Sequence, residues 1–140
     1  MKIALREGRW TVERTVAADP ADAWAVLTDL DAWPQWGPTV SQAALDHPGP
    51  LREGSRGTVW TAVGVPLPFV VDELLPQRRW SWRVAGVPAT SHWVSPDPAG
   101  CRVGMDAPLW APGYVAVLGL ALRRIEQMLD GHPGSPGPSA

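Results

Sequence analysis

Apolar and polar residues alternate through RWTVERTVAA, where Trp10, Val12, Arg14 and Val16 fall on one side and Thr11, Glu13 and Thr15 on the other. This two-residue period predicts a strand with one buried face. The period changes at Asp19-Pro20. An aspartate that can accept from free amides, followed by a proline that loses no useful donor at the first helical position, marks a helix start. Ala23, Val26, Leu27 and Leu30 then recur at helical spacing on one face. Pro34, Gly37 and Pro38 break that pattern and leave room for one short helical turn within 31–38.

Strand-like segments return near 39–47, 55–63, 67–75, 78–86 and 89–95, separated by the turn signals HPGP, VGVP, PQ and AGVP. A sixth, CRVGMDAPLW, follows SPDPAG. A final helix is predicted from about Pro112 to Leu129, on the stripe Tyr114, Leu118, Ala121, Ile125 and Met128. Arg123 and Arg124 come late in it, where cations suit the negative end of the helix dipole. Gly131 can close the helix, and HPGSPGPSA is too rich in Pro, Gly and Ser to bury a core. Residues 1–130 are therefore expected to form the domain and 131–140 a flexible tail. The element order predicts an α+β fold: a seven-stranded antiparallel sheet with two short helices between its first two strands and a long C-terminal helix covering one face.

At 140 residues the chain suits one domain with a real core. A formal charge of −2 and scattered arginines argue against nucleic acid as a partner. The lone Cys101 excludes an internal disulfide and fits a reducing, cytoplasmic setting. MKIALREGRW lacks the apolar run of a signal peptide, and YVAVLGLAL falls well short of the ~20 apolar residues that a membrane span needs. His47, His92 and His132 are isolated, so no metal is expected. The chain carries no phosphate-binding loop, GxSxG elbow or GxGxxG fingerprint, and no cofactor is expected.

The order of elements, together with DPADAWAVLTDLDAWPQWGPTV, LREGSRGTVW, VVDELLPQRRWSWRV and HWVSPDPAGCRV, resembles the START-like (Bet v 1-like, SRPBCC) superfamily, within it the small bacterial polyketide cyclase/dehydrase and lipid-transport proteins. The resemblance covers roughly residues 8 to 129. It implies a helix-grip fold, in which a curved antiparallel sheet wraps a long C-terminal helix around a hydrophobic cavity. It also implies a lipid-like or polyketide-like ligand, with cyclisation, aromatisation or dehydration in a minority of members and no universal catalytic motif. Fold alone does not make such a chain an enzyme.

Strand parity then sorts the wall of the implied cavity, since successive side chains point to opposite faces. Trp80, Trp82 and Val84 are expected inside, with Ser81 and Arg83 outside. Parity leaves ATSHWVSPD ambiguous; the resemblance puts Thr90, His92 and Val94 inside and Trp93 outside. Leu67, Phe69 and Val71, and Cys101, Val103, Met105, Ala107 and Leu109, form two further inward sets. Leu118 and Ala121 face them from the helix. Pro66 and Pro68 place the start of their strand at a rim or bulge. Asp72 and Glu73, as neighbours, are expected on opposite faces, Arg78 and Arg79 to solvate a turn, and Asp106 and Arg102 to pair outside. Cys101 reads as a small buried hydrophobe.

His92 is the conspicuous polar group of this wall and Tyr114 a second; either is a candidate proton-transfer or ligand-orienting residue. Trp33 and Trp36 of DLDAWPQWGPTV read as a structural plug rather than a ligand platform, with the segment forming one wall of the cavity entrance at most. Binding of a hydrophobic small molecule ranks first, with cyclase, aromatase or dehydratase activity the leading specific activity; the alternatives are a non-catalytic carrier of a hydrophobic metabolite and an interaction module, such as a homodimer built on outward Trp60, Trp93 or Trp110.

Overall fold

The computed structural model describes residues 1–130, and the expected tail lies outside the described residues. The elements run β1 (Lys2–Arg6), β2 (Arg9–Val16), α1 (Pro20–Thr28), α2 (Trp33–Trp36), β3 (Val40–Leu45), β4 (Arg56–Thr61), β5 (Pro66–Leu75), β6 (Arg79–Val84), β7 (Val87–Asp97), β8 (Gly100–Pro108) and α3 (Tyr114–Asp130). The strands form one open antiparallel sheet in the order β1-β2-β8-β7-β6-β5-β4-β3. This is the helix-grip arrangement with eight strands instead of the expected seven. The additional strand is β1, joined to β2 by Glu7-Gly8, both at positive φ (51° and 74°). Such a pair suits a two-residue hairpin turn. Ile3, Ala4 and Leu5 run together without apolar–polar alternation, and Ile3 and Leu5 stay exposed, so the segment carried little of the burial pattern that marks the other strands.

The local signals elsewhere act as expected. The Asp19 carboxylate accepts from the Ala21 amide and Pro20 opens α1. The single turn of α2 is tied back to α1, because the indoles of Trp33 and Trp36 donate to the Leu27 and Val26 carbonyls at 3.0 and 3.2 Å. Helix α3 buries Leu118, Ala121, Leu122, Ile125 and Leu129 in a core shared with Val12, Val16, Val103, Met105 and Ala107. The Arg14 guanidinium grips Glu126 of α3 at 2.8 Å.

Several local expectations are corrected on the outer side of the sheet. Strand β5 carries a bulge: Val71 pairs with Trp82 and Glu73 with Ser81, so Asp72 is the extra residue. A bulge breaks strict alternation. Asp72 accepts from Ser81 Oγ and pairs with Arg83, while Glu73 pairs with Arg79; the two carboxylates thus share the outer side. Arg79 is not a turn residue. It also approaches Asp106 at 3.8 Å and lies over the Trp93 ring. Asp106 is buried, accepts from the Ser91 amide and pairs with Arg9 at 2.9 Å, whereas Arg102 pairs with Asp97. Leu109 lies beyond the end of β8 and is exposed, because the strand stops at Pro108.

Candidate functional site

The inward face of β6 and β7 brings Trp80, Trp82, Thr90 and His92 together beneath α2 and α3. The ring of His92 stacks on Trp80 with centroids 4.0 Å apart and meets Trp36 edge-on at 5.9 Å. Trp80 in turn stacks on Trp33 at 5.1 Å, and Trp82 packs edge-on against Trp33, Trp80 and Phe69. Offset-stacked and edge-on contacts are the favourable arrangements for aromatic rings. The expected plug therefore does more than close the end of the sheet: its two tryptophans are part of the aromatic cluster around His92.

This cluster occupies the space between sheet and helix and leaves two adjoining volumes. The inner one is a small cavity of about 40 Å³, walled by Trp36, Trp80, Trp82, Thr90, His92, Met105, Leu118 and Ala121 among others. The outer one is an open groove of about 610 Å³ at the end of the sheet, between the β4–β5 turn, the β6–β7 turn and the segment leading into α3. Thr39, Val40, Trp82, Thr90 and Tyr114 line both, so the two volumes adjoin there and a passage between them would run past these residues. Across that passage Thr39 Oγ1 and Tyr114 Oη share a hydrogen bond of 2.9 Å.

One short polar relay runs through the wall. Trp82 Nε1 donates to Thr90 Oγ1 at 3.0 Å, and Thr90 Oγ1 lies 3.0 Å from His92 Nε2. An indole N–H can only donate, so the threonine hydroxyl proton is free to serve His92 Nε2 as acceptor. Burial pushes the imidazole down from 6.5 to about 3, opposed by the nearby Trp80 backbone and aided by the Arg79 cation. The ring is neutral at ordinary pH, and with the Thr90 hydroxyl donating to Nε2 its one proton sits on Nδ1. Among the described residues, neither His92 Nδ1 nor Trp80 Nε1 has a hydrogen-bond partner, although both are buried.

Of the wall expected from sequence, His92, Trp80, Trp82, Met105, Leu118 and Ala121 line the inner cavity, and Tyr114 stands in the passage. Val84 lines the groove with Trp82. Phe69, Val71, Val94 and Val103 are buried core residues outside the walls of both volumes. The sequence reading put Thr90 on the inward face without a role, placed Trp110 outward or at the rim and DLDAWPQWGPTV beside the cavity entrance, and did not single out Thr39, Val63 or Val87. Val63, Val87 and Trp110 are exposed around that rim, Trp110 at 74%. Of the three outward tryptophans, Trp93 is engaged within the chain: it donates to Glu13 and lies against Gly104. Trp60 is half-buried.

Among the described residues, no group of His, Cys, Asp and Glu is placed to hold a metal ion, and no helix is long and apolar enough to cross a membrane. The family described as polyketide cyclase/dehydrase and lipid transport matches residues 8–130. Among solved structures, protein MLL2253 from Mesorhizobium loti is similar at a TM-score of 0.71 and 18% identity, over 87% of this chain and 96% of that one. Protein Ms6760 from Mycobacterium smegmatis is similar at a TM-score of 0.68 and 14% identity, over 94% and 98%. DynU16, from the dynemicin biosynthetic locus, is similar at 0.65 and 20%, over 90% of this chain and 48% of its own. No curated protein matches. At these identities the structural likeness establishes the fold.

Proposed function

We propose that this chain, which belongs to the polyketide cyclase/dehydrase and lipid-transport family, binds a hydrophobic small molecule in the groove between its strand turns and α3. The observation that carries the reading is the groove itself. It holds about 610 Å³, within the range of small-molecule sites, and its walls are mostly Val, Leu, Ala, Pro and Trp. Apolar side chains on three separate segments, Val63, Val87 and Trp110, stand exposed around its opening, where a molecule leaving water meets them first. A flat or chain-like apolar body would remove this surface from water, and Thr39, Thr90 and Tyr114 supply the few polar groups that orient it.

The carrier reading is favoured over a cyclase, aromatase or dehydratase. A general acid or base works best with a pKa near the operating pH, and His92 lies at about 3. Its neutral ring suits an orienting contact better than a proton shuttle. Titration with an uncharged apolar probe such as N-phenyl-1-naphthylamine should quench tryptophan emission, and Val84→Asp, which puts a carboxylate in the groove wall, should abolish the effect. Quenching that survives Val84→Asp would locate the probe elsewhere and sink the groove reading.

A further inference from the structure

Two buried ring nitrogens, on residues that line the inner cavity, lack a hydrogen-bond partner. Trp80 Nε1 and His92 Nδ1 both lie on residues at most 3% exposed, both residues line the cavity, and among the described residues neither nitrogen has a partner. Burying an N–H without an acceptor costs a folded protein about 1–3 kcal/mol, so such groups normally mark a missing occupant. The polarity of the missing occupant follows from the relay described above. Trp80 can only donate. With Thr90 donating to His92 Nε2, Nδ1–H is a second donor; the Trp80 backbone approaches the imidazole, yet Nδ1 has no partner with hydrogen-bond geometry. Both therefore ask for an acceptor, and a hydrocarbon or a cationic head would leave them unpaired.

We infer that the inner cavity is an acceptor-oxygen subsite: it takes a carbonyl or comparable oxygen of a ligand whose apolar body lies in the outer groove. This rests on the groove reading and names the chemical class of its ligand. The volume agrees, since about 40 Å³ accommodates an oxygen and its carbon but not a ring system. The route agrees as well, because Thr39, Trp82, Thr90 and Tyr114 line both volumes and one molecule can span them. The competing occupant is a single buried water, which would satisfy the same donors and discriminate against nothing.

A shape-matched pair of probes separates these cases. 2-Acetylnaphthalene and 2-isopropenylnaphthalene differ by a carbonyl oxygen against a methylene. An apolar site should prefer the alkene, because the ketone loses more hydration on entering it. The wild-type protein should bind the ketone at least as tightly as the alkene, and the ketone/alkene affinity ratio should fall tenfold or more in His92→Phe and in Trp80→Phe. In the unaltered protein, the ¹³C resonance of the labelled carbonyl should move downfield of its position in hydrocarbon solvent, a readout that does not depend on either variant folding. An alkene preference in the wild type equal to that of the variants, or a carbonyl resonance unchanged from hydrocarbon, would overturn the subsite while leaving the groove intact. Failure of both probes to bind would remove the groove reading and this inference with it.

Discussion

Thr90→Val is the sharpest perturbation of the relay that builds the site. Valine keeps the β-branched shape that suits β7 and removes only the hydroxyl. That hydroxyl serves two partners, Trp82 Nε1 and His92 Nε2, each at 3.0 Å. Leaving a buried donor or acceptor unsatisfied costs about 1–3 kcal/mol. The His92 side is buried and should bear its full share, whereas the half-buried Trp82 can recover some hydrogen bonding at the groove. The expected loss is therefore about 2–4 kcal/mol, or roughly 6–14 °C in Tm for a domain of this size. Urea unfolding followed by tryptophan emission and by far-ultraviolet circular dichroism measures it, with coincident transitions as the test of two-state behaviour. Thr90→Ser, which keeps the hydroxyl, should lose about 1 kcal/mol or less. In a Trp82→Phe background the valine penalty should shrink by the share that Trp82 contributes. A Thr90→Val protein within about 0.5 kcal/mol of wild type, below the usual cost of one orphaned group, would refute the relay and the tautomer argued from it.

Other consequences follow from the same geometry. His92 has a folded-state pKa near 3 against 6.5 unperturbed, so between these values the unfolded chain binds a proton that the native state refuses. Stability should accordingly fall as pH drops from about 6.5 toward 3, by up to about 1.4 kcal/mol per pH unit, and His92→Phe should remove that component from a pH series of urea titrations. Cys101 is buried, and burial followed by the carboxylates of Asp19, Asp97 and Asp22 pushes its thiol to about 11. It should react with a thiol reagent at pH 8 only at the rate of unfolding; rapid labelling of the native protein would contradict this placement. On the outer face, a Cβ at Gly104 collides with the Trp93 indole. Gly104→Ala should cost about 1–3 kcal/mol by overpacking, and most of that cost should vanish when Trp93 is also replaced by alanine.

Much of the framework was legible from residue order. Periods of two and 3.6, the Asp19-Pro20 start and the turn signals depend on neighbours along the chain, so they could be read without knowing what packs on what. Parity for Trp80 and resemblance for His92 anticipated that the two share the inward face, while their stacking follows from Trp80 and His92 being paired directly across β6 and β7. Parity failed at Asp72, where the bulge adds a residue to one strand only, a fact that belongs to the pairing with β6 and not to VVDELL itself. It was silent on β1, whose side chains remain half exposed although its backbone is paired with β2.

The site depended most on tertiary structure. Trp33 and Trp36 lie more than forty residues from Trp80 and His92 in sequence, and only the folding of α2 onto the sheet brings their rings into one cluster. That cluster decides how much of the helix-grip interior is filled and how much remains as inner cavity and groove. The same holds for Thr39 and Tyr114, far apart in the chain and joined across the passage by a single hydrogen bond. Sequence by itself determined the elements, their order and the apolar character of their inward faces, since these are local properties of side-chain spacing. Packing decided which inward residues touch one another, which polar atoms are satisfied and where the open volume lies, because each of these depends on side chains from several elements meeting in space.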